Sequence, residues 1–195
     1  MSHQLNLTLP VRTALGRDDF FVSPANALAL GLIESWPHWP GGKLALIGPR
    51  GSGKTHLAHV WTAQSGGAIL PARDLVEDRV PGLASGPVAI EDVPEIAGNR
   101  AAEKALFHLH NLALAEGHSL LLTGEGEPGN WRLSLPDLQS RVQGATVAAL
   151  EQPDDQLLSV VLAKLFNDRQ LTPHPDTIPY LVKHMERSFE DAQRL

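Results

Sequence analysis

Short apolar segments separated by glycine and proline recur along the first three quarters of the chain. Five of them have the length and near-continuous apolar character of strands that are covered on both faces. Helical patterns at residues 55–64 and 101–116 lie between these segments. The alternation predicts an α/β fold, in which a five-stranded parallel sheet carries helices on both faces. The predicted strands are residues 43–47, 68–70, 88–90, 119–123 and 146–150.

The pattern after residue 150 is helical throughout. A first helix begins with acidic residues that suit the helix dipole. A second helix follows Pro175, and a third begins near Ser188, where Ser188 and Asp191 resemble a capping box. We therefore expect a small helical lid, cut short because the sequence stops within a helical pattern. The predicted division is residues 1–12 as a tail, 13–151 as the α/β domain and 152–195 as the lid.

Composition narrows the classes of function. The 16 Lys and Arg against 22 Asp and Glu give a net charge of −6, which argues against a protein that holds DNA strongly by its own basic surface. The absence of cysteine excludes disulfides and Cys-ligated metal centres. Neither a membrane span nor a signal peptide is visible in the sequence. We expect a soluble cytoplasmic protein with no membrane partner.

The clearest functional motif is a phosphate-binding loop that follows the first predicted strand and opens a helix. Glycines let the backbone turn so that its N–H groups face phosphates. Lys54 reaches the outer phosphates, and Thr55 offers its hydroxyl to Mg²⁺. The cofactors predicted are therefore ADP or ATP with Mg²⁺. The loop residues, which fit G-x-x-x-x-G-K-[ST], are Gly48, Pro49, Arg50, Gly51, Ser52, Gly53, Lys54 and Thr55.

An acidic pair, Glu91 and Asp92, follows the third predicted strand. In a phosphate-loop protein, acids at this position hold magnesium and orient the attacking water. We expect Glu91 to share the Mg²⁺ with Thr55, and both acids to serve catalysis. The order Glu-Asp reverses the common order Asp-Glu, which changes the reach of each carboxylate.

With these features in place, the chain resembles the AAA+ P-loop ATPases of the DnaA branch. Residues 19–26 (DFFVSPAN) are similar to the segment that lines the adenine pocket of that family. The resemblance implies that Phe21, Val22 and Asn26 contact the nucleotide. His56, directly after the loop, belongs to the same predicted site.

Three further segments carry the resemblance. Residues 122–125 (LTGE) are similar to the sensor-1 strand end, residues 138–142 (LQSRV) to the arginine-finger box, and residues 186–190 (ERSFE) to the sensor-2 element. The resemblance gives Glu125, Arg141 and Arg187 catalytic roles, with Arg141 reaching a neighbouring subunit and Arg187 also contacting nucleotide. The alternatives are a turn residue for Glu125 and surface charges for the two arginines.

The N-terminal residues 4–9 (QLNLTL) are similar to a peptide that binds the DNA polymerase sliding clamp. Alone, alternating leucines are more typical of a first strand. Next to a DnaA-like module with no DNA-binding domain after it, they resemble the Hda family. That resemblance implies a negative regulator of replication initiation, which docks on the DNA-loaded clamp (beta subunit) and stimulates ATP hydrolysis by DnaA. The clamp-binding residues are Gln4, Leu5, Leu7 and Leu9.

Other functions stay open on the sequence alone. The chain fits an autonomous AAA+ ATPase, such as a DnaC-like helicase loader, or an adaptor that holds ADP as a structural cofactor. The sequence does not decide between ADP and ATP, and it leaves open whether hydrolysis by the chain itself is weak or absent. A homodimer or larger homo-oligomer is also compatible with it.

Overall fold

A computed structural model of the chain describes residues 21–195. The predicted clamp-binding peptide lies outside the described residues. The five strands form one parallel sheet in the order β2-β3-β4-β1-β5. Each predicted strand is present, with ends shifted by at most one residue. The strands are β1 Lys43–Ile47, β2 Ala68–Pro71, β3 Val88–Glu91, β4 Leu120–Gly124 and β5 Thr146–Ala149.

Within residues 21–195, five α-helices accompany the sheet. The predicted helices at 55–64 and 101–116 correspond to α2 and α4, whereas the patterning does not single out α1, α3 or α5. Helix α1 is apolar around most of its circumference, and α5 is mostly polar and buries just Leu138 and Val142. Helix α1 therefore lacks the amphipathic period that marks a surface helix, and α5 shows that period over a single pair of residues four apart. The helices are α1 Ala27–Glu34, α2 Lys54–Ser65, α3 Val80–Leu83, α4 Arg100–Ala115 and α5 Pro136–Gln143.

The sheet is buried between two apolar cores. Leu106 and Leu109 of α4 belong to one core, with Leu138 of α5. On the other face, α1 and α2 cover the sheet, and the rings of Trp39 and Trp61 stack with centroids 5.2 Å apart. Burial of this apolar surface is the main stabilising contribution to the fold. With both faces covered, the carboxyl ends of the strands stay accessible for a ligand site.

The lid comprises α6 Asp155–Asp168, α7 Thr177–His184 and α8 Phe189–Arg194, and it has a small core of its own. Ser188 caps α8 as predicted, since its Oγ accepts a hydrogen bond from the Asp191 N–H at 3.0 Å. The reciprocal half of the capping box differs: the Asp191 carboxylate accepts from the N–H of Glu186. Within residues 21–195, no helix has the length and apolar character to cross a membrane.

Candidate functional site

The phosphate loop connects β1 to α2 in a conformation that requires glycine. Gly51 and Gly53 have φ values of 72° and 96°, which L side chains rarely adopt. A Cβ on Gly51 would collide with that of Ser188, and one on Gly53 would lie 3.0 Å from the ring of Phe189. The loop therefore presents bare backbone, and the start of α8 packs directly against it.

Lys54 begins α2 and is buried at the base of the loop. Its Nζ donates to the carbonyl oxygens of Gly48 at 2.8 Å and Pro49 at 2.9 Å. Burial lowers the pKa of Lys54, while the charges of Glu125, Asp92 and Glu91 act to raise it. The ammonium group is thus held within the loop and experiences the charge of three carboxylates.

These carboxylates come from two neighbouring strands. Glu91 ends β3 and Asp92 follows it, while Glu125 follows β4. The Asp92 N–H donates to Thr123 Oγ1 at 3.0 Å, and Asp92 adopts a left-handed φ of 53°. This turn brings Asp92 into the cleft beside Glu125, whereas Glu91 stays buried behind it, with an Oε1 that accepts no hydrogen bond from the described residues.

A cleft of about 650 Å³ opens over the loop. Lys54, Thr55 and His56 line its floor, and Asp92 and Glu125 line one side. Burial lowers the pKa of His56, which favours its neutral form. Backbone N–H groups, an ammonium, a hydroxyl and carboxylates together form the donor set that a magnesium–nucleotide requires. The orphaned, buried Glu91 oxygen fits the same chemistry.

Residues 21–26 of the predicted adenine segment are described by the structure. Asn26 is buried and shapes the segment, because its Nδ2 donates to the Phe21 carbonyl at 2.9 Å. The Ala25 carbonyl accepts from the N–H of Glu151 at 3.0 Å, which places the segment at the end of β5. The exposed Val22 lies in the same segment. None of Phe21, Val22 and Asn26 is among the residues that line the cleft, and their contact with nucleotide stays a prediction.

The lid contributes side chains to the cleft that the sequence did not identify. Phe189, Glu190 and Gln193 of α8 line it. Glu190 accepts two hydrogen bonds from the Arg50 guanidinium, at 3.1 and 3.2 Å, and these bonds raise the pKa of Arg50 and lower that of Glu190. The sensor-2 resemblance of residues 186–190 implied that this segment lies near the nucleotide site, but it singled out Arg187 and did not identify the contacts of Phe189, Glu190 and Gln193.

Arg187 forms an ion pair within the lid. It precedes the N-cap of α8, and its Nη2 lies 2.6 Å from the Asp155 carboxylate at the start of α6. It is not among the side chains that line the cleft. The ion pair joins the segment before α8 to the start of α6, and contact of Arg187 with nucleotide stays a prediction.

Arg141 lies on the exposed surface of α5, away from the cleft of its own chain. Its carbonyl accepts from Lys43 Nζ at 2.6 Å. Lys43 begins β1, whereas the phosphate loop follows the last residue of β1, about 13 Å further along at ~3.3 Å per residue. Arg141 is therefore at the amino-terminal side of the sheet, and its own loop is at the carboxyl side.

No protein-family model matches the chain. Among solved structures, domain III of the Thermotoga maritima replication initiation protein DnaA superposes with a TM-score of 0.79 at 19% identity, covering 95% of this chain and 87% of that one. AMPPCP-bound DnaA from Aquifex aeolicus gives 0.73 at 19% identity, covering 90% and 62%. The Thermotoga maritima RuvB Holliday junction branch migration motor gives 0.61 at 21% identity, covering 78% and 52%.

The chain has the fold of DnaA domain III. The predicted α/β class and sheet are therefore confirmed. The chain spans 62% of the length of the Aquifex DnaA chain that it matches. Identities near 20% establish the fold. They do not assign roles to individual side chains.

Proposed function

We propose that this chain is a nucleotide-binding AAA+ regulator of replication initiation, with the function of the Hda family. It binds ADP or ATP in the cleft, docks on the sliding clamp and stimulates ATP hydrolysis by DnaA through Arg141. The observation that carries the proposal is the position of Arg141, which is exposed on a DnaA-like fold and lies outside its own phosphate cleft.

Nucleotide binding is supported by the cleft and by the AMPPCP bound in the similar Aquifex DnaA structure. Lys54 would contact the outer phosphates, and the N–H groups of Gly51 and Gly53 would cradle them. Thr55, Glu91 and Asp92 would hold the Mg²⁺. The metal supplies charge neutralisation at the phosphates when it is bound.

Action on a partner is supported by the fold and by the charge that Arg141 carries. A planar guanidinium matches phosphate oxygens bidentately. An arginine finger supplied in trans accelerates comparable phosphoryl transfers by about 10³–10⁵. A partner of the same fold, with its nucleotide at the corresponding cleft, would offer the phosphate that Arg141 lacks in its own chain.

The test is a single-turnover assay of ATP hydrolysis by DnaA, with DNA-loaded clamp and the purified protein. We expect wild type to stimulate hydrolysis and Arg141→Ala to abolish the stimulation while keeping clamp binding. Arg100→Ala, which removes another exposed arginine at the start of α4, is the matched control and should behave as wild type. If Arg141→Ala stimulates hydrolysis at the wild-type rate, Arg141 is not an arginine finger.

Clamp docking is tested separately by a pull-down on the sliding clamp. We expect Gln4→Ala and Leu7→Ala to lose binding, because an extended peptide of this kind is held by side chains in pockets. Asn6→Ala, at an intervening position of the same peptide, should retain binding. Absence of binding by the wild-type chain would remove the clamp from the proposal without affecting Arg141.

Hydrolysis by the chain itself is the second candidate function, favoured by Asp92 and Glu125 in the cleft with Lys54. Rapid turnover by the isolated protein, lost in Lys54→Met, would support an autonomous ATPase. Stable retention of ADP without turnover would support the regulator or an adaptor with structural ADP. Both measurements use the protein without DnaA.

A further inference from the structure

Helix α5, which carries Arg141, is held at its amino-terminal end by a buried carboxylate. Glu103 of α4 is fully buried. Its Oε1 accepts from the N–H groups of Gly98 at 2.8 Å and Ser134 at 2.9 Å, and its Oε2 accepts from Ser134 Oγ at 2.8 Å and the Leu135 N–H at 2.7 Å. Leu135 is the N-cap position of α5. A negative charge there also complements the helix dipole.

The opposite end of α5 is held by a cation. The Arg141 carbonyl is among the last carbonyls of the helix, which lack partners within it. The N–H of Ala145 bonds to Val142, so the ammonium of Lys43 at 2.6 Å supplies the hydrogen bond that Arg141 needs. A cation at this end of a helix is favourable as well.

Lys43 is fixed in turn by His110 of α4, whose Nε2 lies 3.3 Å from the ammonium. His110 is buried, and burial together with the charge of Lys43 lowers its pKa to about 4. A neutral ring that donates from Nδ1 to Asn111 Oδ1, 3.3 Å away, leaves Nε2 free to accept from Lys43. The lysine is therefore held between a ring nitrogen and a helix carbonyl.

The guanidinium of Arg141 rests on the same face of α4. Its Cζ lies 5.4 Å from the centroid of the Phe107 ring, within the range of a cation–π contact. Phe107 and His110 are three residues apart, so they are neighbours on one helix surface. One face of α4 thus contacts the guanidinium through Phe107 and the main chain of Arg141 through Lys43.

We propose that Lys43 and Phe107 are positioning residues for Arg141, which fix its main chain and its guanidinium so that it meets the phosphates of a nucleotide held by a partner AAA+ module. The inference rests on the proposed role of Arg141. Lys43 fixes where α5 ends, and the Phe107 ring limits the rotamers of a long, flexible side chain. Both effects reduce the entropy lost when the finger enters the partner site.

The experiment titrates each variant into the DnaA hydrolysis assay and extracts the maximal rate and the half-saturating concentration. We expect Lys43→Met and Phe107→Leu to lower the maximal rate by about 10- to 100-fold, as misplacement of a catalytic group does, with half-saturation unchanged. Lys43→Arg and Phe107→Tyr, which keep the cation and the ring, should restore most of the rate. Lys183→Met, in the last turn of α7, is the control lysine.

Several outcomes would overturn the inference. If Arg141→Ala abolishes stimulation while Lys43→Met and Phe107→Leu keep the wild-type rate, the two residues do not position the finger. A raised half-saturation with an unchanged maximum would make them docking contacts. If Lys43→Met fails to fold, the maximal rate with Phe107→Leu, a change at a half-buried side chain, decides the test. If Arg141→Ala itself stimulates normally, the proposed function fails instead.

Discussion

The N–H of Phe189 donates to the carbonyl oxygen of Gly51 across 2.9 Å, which joins the lid to the phosphate loop by a main-chain hydrogen bond. The Phe189 ring covers Gly53 on the same side, and the Arg50–Glu190 pair adds an ionic contact at the rim. The last helix is therefore a wall of the cleft, and the loop conformation depends on the lid as well as on β1 and α2.

Substitution of Gly51 tests this contact. We expect Gly51→Ala to weaken nucleotide binding and lower Tm, because the new Cβ meets Ser188 and a left-handed φ of 72° is strained for alanine by about 1–2 kcal/mol. Titration with a fluorescent ADP analogue and thermal melting measure the two effects. Gly82→Ala, in α3 with no atom within 4 Å of the added Cβ, should keep wild-type affinity. Equal behaviour of the two variants would contradict the packing.

Arg187 and Asp155 provide a second test. Since the guanidinium lies 2.6 Å from Asp155, we expect Arg187→Ala and Asp155→Asn to lower Tm by similar small amounts and to leave nucleotide affinity unchanged. The pair is partly exposed, so salt should reduce the effect on Tm. A large loss of affinity in Arg187→Ala alone would show that the arginine leaves Asp155 to reach the nucleotide.

The features predicted correctly from the sequence are those that short stretches of residues determine by themselves. The five buried strands and the loop that ends in Lys54 and Thr55 follow from apolar runs and from a motif of fixed spacing. The carboxyl ends of parallel strands share one edge, and this brings Asp92 and Glu125 together. The partners of Arg50, Arg187 and Arg141 could not be predicted in this way, because each lies on an element that is distant in the sequence.

Glu103 carries the third prediction. We expect Glu103→Gln to lower the free energy of unfolding by about 3 kcal/mol, the scale of a lost charged hydrogen bond together with an unsatisfied buried group. An amide nitrogen in place of Oε1 would face the N–H groups of Gly98 and Ser134, and one in place of Oε2 would face that of Leu135. Urea denaturation followed by circular dichroism measures the change.

Glu116→Gln is the matched control for Glu103, since it makes the same change at the exposed end of α4. We expect that variant to unfold at the wild-type urea concentration. Burial acts to raise the pKa of Glu103, but the hydrogen bonds from Ser134, Gly98 and Leu135 together outweigh it and lower the pKa. The charged form therefore stabilises the fold, and this contribution should be lost as pH falls. A Glu103→Gln protein as stable as wild type would show that α5 does not depend on the charge.

The buried imidazole of His110 gives the last prediction, a pH dependence of stability. Its pKa is about 4 in the fold, against the ordinary histidine value of 6.5, so between these values the unfolded chain binds the proton that the folded chain does not. Stability from this residue is therefore complete above pH 6.5 and is lost as pH falls towards 4, by up to about 3 kcal/mol at ~1.4 kcal/mol per pKa unit. We expect His110→Gln, which retains an acceptor for Lys43, to flatten the stability curve in this window. Carboxylates present in both proteins contribute equally to the two stability curves, so the difference between the curves reports on His110. The control His38→Gln, at an exposed histidine, should leave the curve unchanged. Parallel curves for wild type and His110→Gln would mean that the ring is not held neutral beside Lys43.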